Sequence, residues 1–133
     1  MSKIFNISEA SSIAIHSLAI IAKSKRQINV SEITEFTNFS KNHLAKILQL
    51  LVKNNYLRSI RGPRGGFVIN KNSKEITLLE IYELVEGSLE QSKCNIHNGV
   101  CQFNYCIFGN FGERFTNEFK DYLKNKTIYE VSL

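Results

Sequence analysis

The chain has little of what marks several large classes of protein. Its longest apolar run, residues 18–22, is far too short to span a membrane. Residues 1–8 show no charged-then-apolar-then-small pattern, so no secretion signal is expected. It has only three cysteines, an odd number that argues against a secreted disulfide framework and for a reducing compartment. No Gly-rich nucleotide loop and no Ser/His/Asp set occurs, which leaves a redox or electron-transfer enzyme poorly supported. There are no internal repeats and no low-complexity segments. Tryptophan is absent, and the single proline, Pro63, falls in a turn discussed below. A cytoplasmic, non-enzymatic protein of one domain, or one domain with an appendage, is expected from 133 residues with 43% apolar content.

Acidic residues are scarce in the front half. Residues 1–74 hold 12 Lys/Arg and 3 Asp/Glu, a balance of +9, whereas residues 75–133 hold 5 and 9, a balance of −4. The sum is the net +5 of the chain. A basic front on an acidic back suggests a polyanion-binding module joined to a part that binds no polyanion.

All three cysteines lie within thirteen residues: six residues separate Cys94 from Cys101, and four separate Cys101 from Cys106. One loop can bring such thiolates to a point, and soft thiolates select zinc, copper(I) or an iron–sulfur cluster. Three ligands are one short of four, so another group must complete the set. A weak or foreign fourth ligand favours a labile, sensing centre. The alternatives are three buried cysteines acting as small hydrophobes, or a disulfide pair with a spare thiol.

Apolar periodicity and capping residues lay out the elements. Ser8 caps a first helix over 8–22, poor in charge and so expected to be largely buried, with a subunit interface as one place for it. A second helix is expected over 31–37, with Ile33 and Phe36 facing inward. Asn38 and Phe39 make a tight turn, and Ser40 caps a third helix over 41–54. Its stripe of Leu44, Ile47, Leu48, Leu51 and Val52 follows i, i+3, i+4, i+7, i+8. The opposite face opens with Lys41, Asn42, His43 and Lys46. A short helix, a tight turn and a helix with a basic N-terminal face describe a helix-turn-helix, whose second helix lies in the DNA major groove.

Two strands, 56–60 and 67–70, flank the turn Arg61-Gly62-Pro63-Arg64-Gly65-Gly66. Glycine permits close backbone approach to phosphates, and a narrow minor groove attracts arginine. A helix-turn-helix followed by a basic hairpin is a winged helix, mainly α with a small β-hairpin. Thr77 caps a fourth helix, 78–86, ended by Gly87. A long helix is expected over 107–124, with a seam of Phe108, Phe111, Phe115, Phe119 and Tyr122 for a two-fold partner helix to cover. The organisation is thus a winged-helix DNA-binding domain (1–87), a cysteine loop (88–106), and a dimerisation helix with its tail (107–133).

Together these features resemble the Rrf-type bacterial transcription regulators, the family of the iron–sulfur regulator IscR and the nitric-oxide sensor NsrR. The specific stretches are 40–44, 60–66, 76–81 and 122–131. The resemblance implies a homodimer on a double-stranded operator with two half-sites, and a cluster held by Cys94, Cys101 and Cys106. It matches Arg61 to a wing arginine entering the minor groove, beside Arg64. It matches Ser40, Lys41, Asn42, His43 and Lys46 to the recognition helix. The IscR-like pattern places a histidine three residues after the last cysteine, where this chain has Gly109. The NsrR-like pattern instead takes an acidic residue from the partner's first helix, and Glu9 stands at the matching place. His97 is the rival ligand; water, a small molecule or no fourth ligand at all are the further choices. By the same resemblance an acidic ligand favours a 4Fe–4S cluster, with a 2Fe–2S cluster as the other choice. The implied function is a repressor whose operator affinity follows nitric oxide, redox state or iron supply. A zinc-holding or cluster-free regulator sensing thiol oxidation is the alternative.

Overall fold

The computed structural model describes residues 7–89 and 100–133. The first helix, α1 (Glu9–Lys23), starts where Ser8 accepts a hydrogen bond at Oγ from the Ser11 amide, 3.1 Å away. Ile13, Ala14, Leu18 and Ile21 form its buried face, joined by the small Ser11 and Ser17. α1 needs no second subunit for this burial. Several of the elements described below pack against it.

The second helix, α2 (Val30–Thr37), begins one residue earlier than the expected Ser31, because Asn29 caps it. Asn29 Oδ1 accepts from the Glu32 amide at 2.9 Å, and Glu32 reaches back to the Asn29 amide at 3.4 Å, a reciprocal cap. Ile33 is fully buried as expected, but Phe36 is not: its side chain is 64% exposed. A helix of two turns has a narrow buried stripe, and Phe36 falls beside it. Asn38 ends α2 in the left-handed conformation, φ 61°, which Asn tolerates better than most residues.

The third helix, α3 (Lys41–Lys53), buries Leu44, Ile47, Leu48 and Leu51 as its periodicity requires, and half-buries Val52. Asn55, at φ 67°, turns the chain into β1 (Leu57–Ile60), which pairs antiparallel with β2 (Gly66–Ile69) in the register Leu57 to Ile69 and Ile60 to Gly66. Ile28 adds a single-residue bridge on the outer edge of β2. Its amide donates to the Phe67 carbonyl at 3.1 Å, and the Phe67 amide donates back at 2.8 Å.

A single 3₁₀ turn, Ser73–Glu75, leads to α4 (Leu78–Glu86), capped reciprocally by Thr77 and Glu80. Tyr56 donates its hydroxyl proton to Glu80 Oε1 at 2.9 Å, tying the end of the α3 turn to the start of α4. Burial and then this carboxylate push the Tyr56 phenol up to about 12.

The last long helix, α5 (Phe111–Asn125), starts four residues later than the expected 107. Gly109 (φ 61°) and Asn110 (φ 56°) are both left-handed, a conformation that cannot continue a right-handed helix, so Ile107 and Phe108 precede it. The aromatic seam also divides. Phe119 meets Tyr82 of α4 edge-to-face at 5.3 Å, and Leu123 is buried in the core. Phe111, Phe115 and Tyr122 stay about half exposed. A short final helix, α6 (Ile128–Val131), was not expected from the sequence. It returns to the core because the Leu78 amide donates to the Lys126 carbonyl (2.9 Å) and the Ile128 amide to the Ile76 carbonyl (2.8 Å). Ile128 is fully buried, and α6 packs on α1. No helix among the described residues is long and apolar enough to cross a membrane.

Candidate nucleic-acid interface and cysteine segment

The helix-turn-helix is built by α2, the Asn38 turn and α3. The apolar stripe of α3 faces the core, so its other side must face solvent. Ser40, Lys41, Asn42 and Lys46 are exposed there, and His43 is partly exposed. Ser40 makes no side-chain capping bond. Among the described residues, Lys41, Lys46, Arg61 and Arg64 form no ion pair, so their charge is free for an outside anion.

The wing tip runs from Arg61 to Gly65. Gly62 has φ +109°, and the Gly65 amide closes the turn onto the Gly62 carbonyl at 2.9 Å. A Cβ on Gly65 would lie 2.5 Å from the Ile60 carbonyl oxygen, so this glycine is needed for the turn to close. Both arginines are exposed. The Gln27 side-chain amide donates to the Arg64 carbonyl at 2.7 Å. Sequence reasoning missed Gln27, because no local pattern marks a contact across 37 positions.

Cys101 and Cys106 are exposed free thiols on the non-helical stretch before α5. Cys101 Sγ lies 3.8 Å from the Phe103 carbonyl, and the Cys106 carbonyl accepts from the Gly109 amide at 2.9 Å. Cys94 and His97 lie outside the described residues. No set of three potential metal ligands comes together among the described residues. Glu9 is exposed at the first turn of α1, and its carboxylate sits 3.7 Å from His43 Nδ1. Sequence reasoning assigned these two residues to different sites; the fold places them side by side. The adjacent Ser8 hydroxyl donates to Glu86, at the end of α4. The start of α1 therefore touches both the recognition helix and the helix that leads towards the cysteines.

A shallow apolar groove of 540 Å³ runs between α1 and α5, lined by Ile15, His16, Phe115, Phe119 and Tyr122 among others. It lies along the exposed part of the aromatic seam.

The sequence profile of the family described as "Rrf2: Iron-dependent Transcriptional regulator" matches residues 7–132. A protein of Aquifex aeolicus classed with the HTH-type transcriptional regulators is 30% identical over 122 residues, covering 89% of this chain and 85% of that protein. The transcriptional regulator IscR of Pectobacterium carotovorum is 25% identical over 104 residues, 78% of this chain and 63% of IscR, so the match leaves over a third of IscR unspanned. Among solved structures, CymR, the global cysteine regulator of B. subtilis, superposes with a TM-score of 0.78 at 20% identity, with 96% of each chain covered. The T. potens IscR structure gives a TM-score of 0.68 at 18% identity, covering 96% of this chain and 85% of that one. Both confirm the mainly helical winged-helix fold with its antiparallel hairpin. These relatives are transcription regulators, not enzymes. A recognition helix, a basic wing and a profile match over nearly the whole chain lead to one conclusion: this chain belongs to the Rrf2 family of DNA-binding transcriptional regulators.

Proposed function

We propose that this protein is a homodimeric, cytoplasmic repressor whose hold on its operator depends on the chemical state of Cys94, Cys101 and Cys106. The carrying observation is the contact between Glu9 and His43, beside the bond from Ser8 to Glu86. It supports this reading because the start of α1 touches the helix that would read DNA and the end of α4, after which the chain runs on in sequence to the segment that bears the thiols.

Lys41, Lys46 and the wing arginines supply salt-sensitive affinity for phosphates. Ser40, Asn42 and His43 meet base edges in the major groove, and Arg61, with Arg64 beside it, enters the minor groove. Half-exposed Phe111, Phe115 and Tyr122 on α5 support a two-fold partner, since a soluble monomer rarely leaves such a row uncovered.

The donor set fits a soft metal centre: two described thiols are exposed, and the third lies in the same short segment. A bound iron–sulfur cluster would supply a labile link among thiolates, broken by nitric oxide, oxidation or iron loss. Glu9 of the partner subunit, or His97, would complete the set; an acidic ligand favours the 4Fe–4S, NsrR-like type. Glu9 cannot turn to a distant ligand and keep its place beside His43. Its choice of partner would then be felt at the recognition helix.

A second reading has direct support. Exposed Cys101 and Cys106 are accessible to oxidants, and the fold likeness extends to a structure of Staphylococcus aureus CymR in its oxidised form (TM-score 0.74, 22% identity). In that case the thiols themselves sense oxidation, with zinc or no metal bound.

The test compares duplex binding by protein purified without oxygen from iron-replete cells, the same protein after nitric oxide, and metal-stripped protein. Unequal affinities are expected, with iron and labile sulfide in the first sample. Equal affinities in all three would end the switching reading. Metal-free or zinc-bearing protein that loses affinity on oxidation would move the assignment to thiol sensing.

A further inference from the structure

We propose that the segment joining α1 to α2 is a splint for the wing, and that Gln27 within it is a positioning residue for DNA binding. The inference rests on the winged-helix reading above.

The hairpin has four residues in each strand, and an isolated two-stranded hairpin is marginal in water. Its tip must nevertheless present Arg61 and Arg64 in one orientation. Two contacts from outside the hairpin steady it. The paired amides and carbonyls of Ile28 and Phe67 extend the sheet by one rung. The Gln27 side chain then reaches past that rung to the Arg64 carbonyl, at the tip itself. That bond fixes the peptide plane following Arg64, and hence the direction in which the turn presents both arginines.

The segment is rigid enough to serve. The Arg26 guanidinium is 2.5 Å from the Glu32 carboxylate and also donates to the Gln27 carbonyl at 3.0 Å. The hydrogen bond between Arg26 and Glu32 raises the arginine's pKa and lowers the glutamate's, so both stay charged. Ser24 Oγ donates to the Arg26 carbonyl at 2.9 Å. Glu32 is in turn held by the Asn29 cap of α2. The backbone of Gln27 is thus gripped by its neighbours, while its side chain points at the wing. No other side-chain hydrogen bond among the described residues reaches the turn from outside the hairpin.

Removing the Gln27 amide leaves the fold intact but frees the tip, so DNA binding must then supply the cost of ordering it. The experiment uses full-length protein and a duplex selected from a random pool by the wild type, at fixed salt. Gln27→Ala should weaken binding about fivefold, the worth of one neutral hydrogen bond, with the thermal midpoint lowered by no more than about 5 °C. Gln27→Glu, which replaces the donor by an acceptor facing a carbonyl, should weaken it further. In an Arg61→Ala, Arg64→Ala background the Gln27→Ala loss should vanish, because no wing contact is left to position. Wild-type affinity in Gln27→Ala overturns the splint, as does an undiminished loss in the double-arginine background. If the double-arginine change alone leaves affinity untouched, the wing reading itself fails, and the splint falls with it.

Discussion

Gly66→Ala isolates the join between the wing and the rest of the domain. A Cβ at Gly66 would sit 2.7 Å from the Ile28 carbonyl oxygen, 2.8 Å from its carbon and 3.1 Å from the Asn29 nitrogen. All three atoms are backbone, so no side chain can swing aside. Either β2 or the Ile28 segment must move by several tenths of an ångström. The two hydrogen bonds joining Ile28 and Phe67, at 3.1 and 2.8 Å, are in the path of that movement. Losing both costs about 2 kcal/mol at about 1 kcal/mol each. The stiffer unfolded chain returns less than about 1 kcal/mol. The net loss of about 1–2 kcal/mol should lower the thermal midpoint by roughly 3–8 °C. Circular dichroism gives the midpoint, and amide exchange reads Ile28 and Phe67 directly. Gly62→Ala is the control: no heavy atom beyond its own chain neighbours lies within 4 Å of its Cβ, and its cost comes only from φ +109°. Unchanged midpoint and unchanged protection of the Ile28 and Phe67 amides in Gly66→Ala would refute the steric reasoning.

Ser17 is fully buried on α1, and its hydroxyl has no hydrogen-bond partner among the described residues. Ser17→Ala should therefore be neutral or raise stability by about 1 kcal/mol in chemical denaturation, whereas a satisfied hydroxyl would give a loss. Tyr56→Phe removes the bond to Glu80 and should cost about 1–2 kcal/mol at neutral pH. The folded-state phenol is raised to about 12, so its contribution is complete below the unfolded value near 10 and disappears as pH climbs through about 12. The stability gap between wild type and Tyr56→Phe should close over that window; a constant gap would count against the assignment. Arg61→Ala and Lys46→Ala should each reduce the slope of log affinity against log salt by about 0.9 if each side chain neutralises one phosphate. An unchanged slope would remove that residue from the interface.

Helix α3 was legible because its burial follows a local rule: Leu44, Ile47, Leu48 and Leu51 repeat with the helical period. Thr77 with Glu80 marked α4, and the glycines of 61–66 marked the wing, again through chemistry within a few residues. Asn29 with Glu32 offered the same kind of signal for α2, and a stricter reading of that spacing would have found the cap. Phe36 was misplaced because two turns of helix do not reveal which edge of the stripe meets a neighbour. The α5 seam was periodic, yet periodicity says only that residues share a face. It does not say that Tyr82 would take Phe119 and leave Phe115 to solvent.

The sequence alone determined the types of the longer elements, the exposed cations of the recognition helix and the clustering of every cysteine in one short segment. Each of these depends on residues close in the chain, where backbone preference and side-chain spacing act directly. Tertiary structure decided that Glu9 stands beside His43, that Gln27 reaches Arg64, and that Ile28 completes the sheet. Those contacts join surfaces whose meeting depends on how whole helices pack. The packing is set by the summed burial of many side chains, and no short stretch of sequence records the sum.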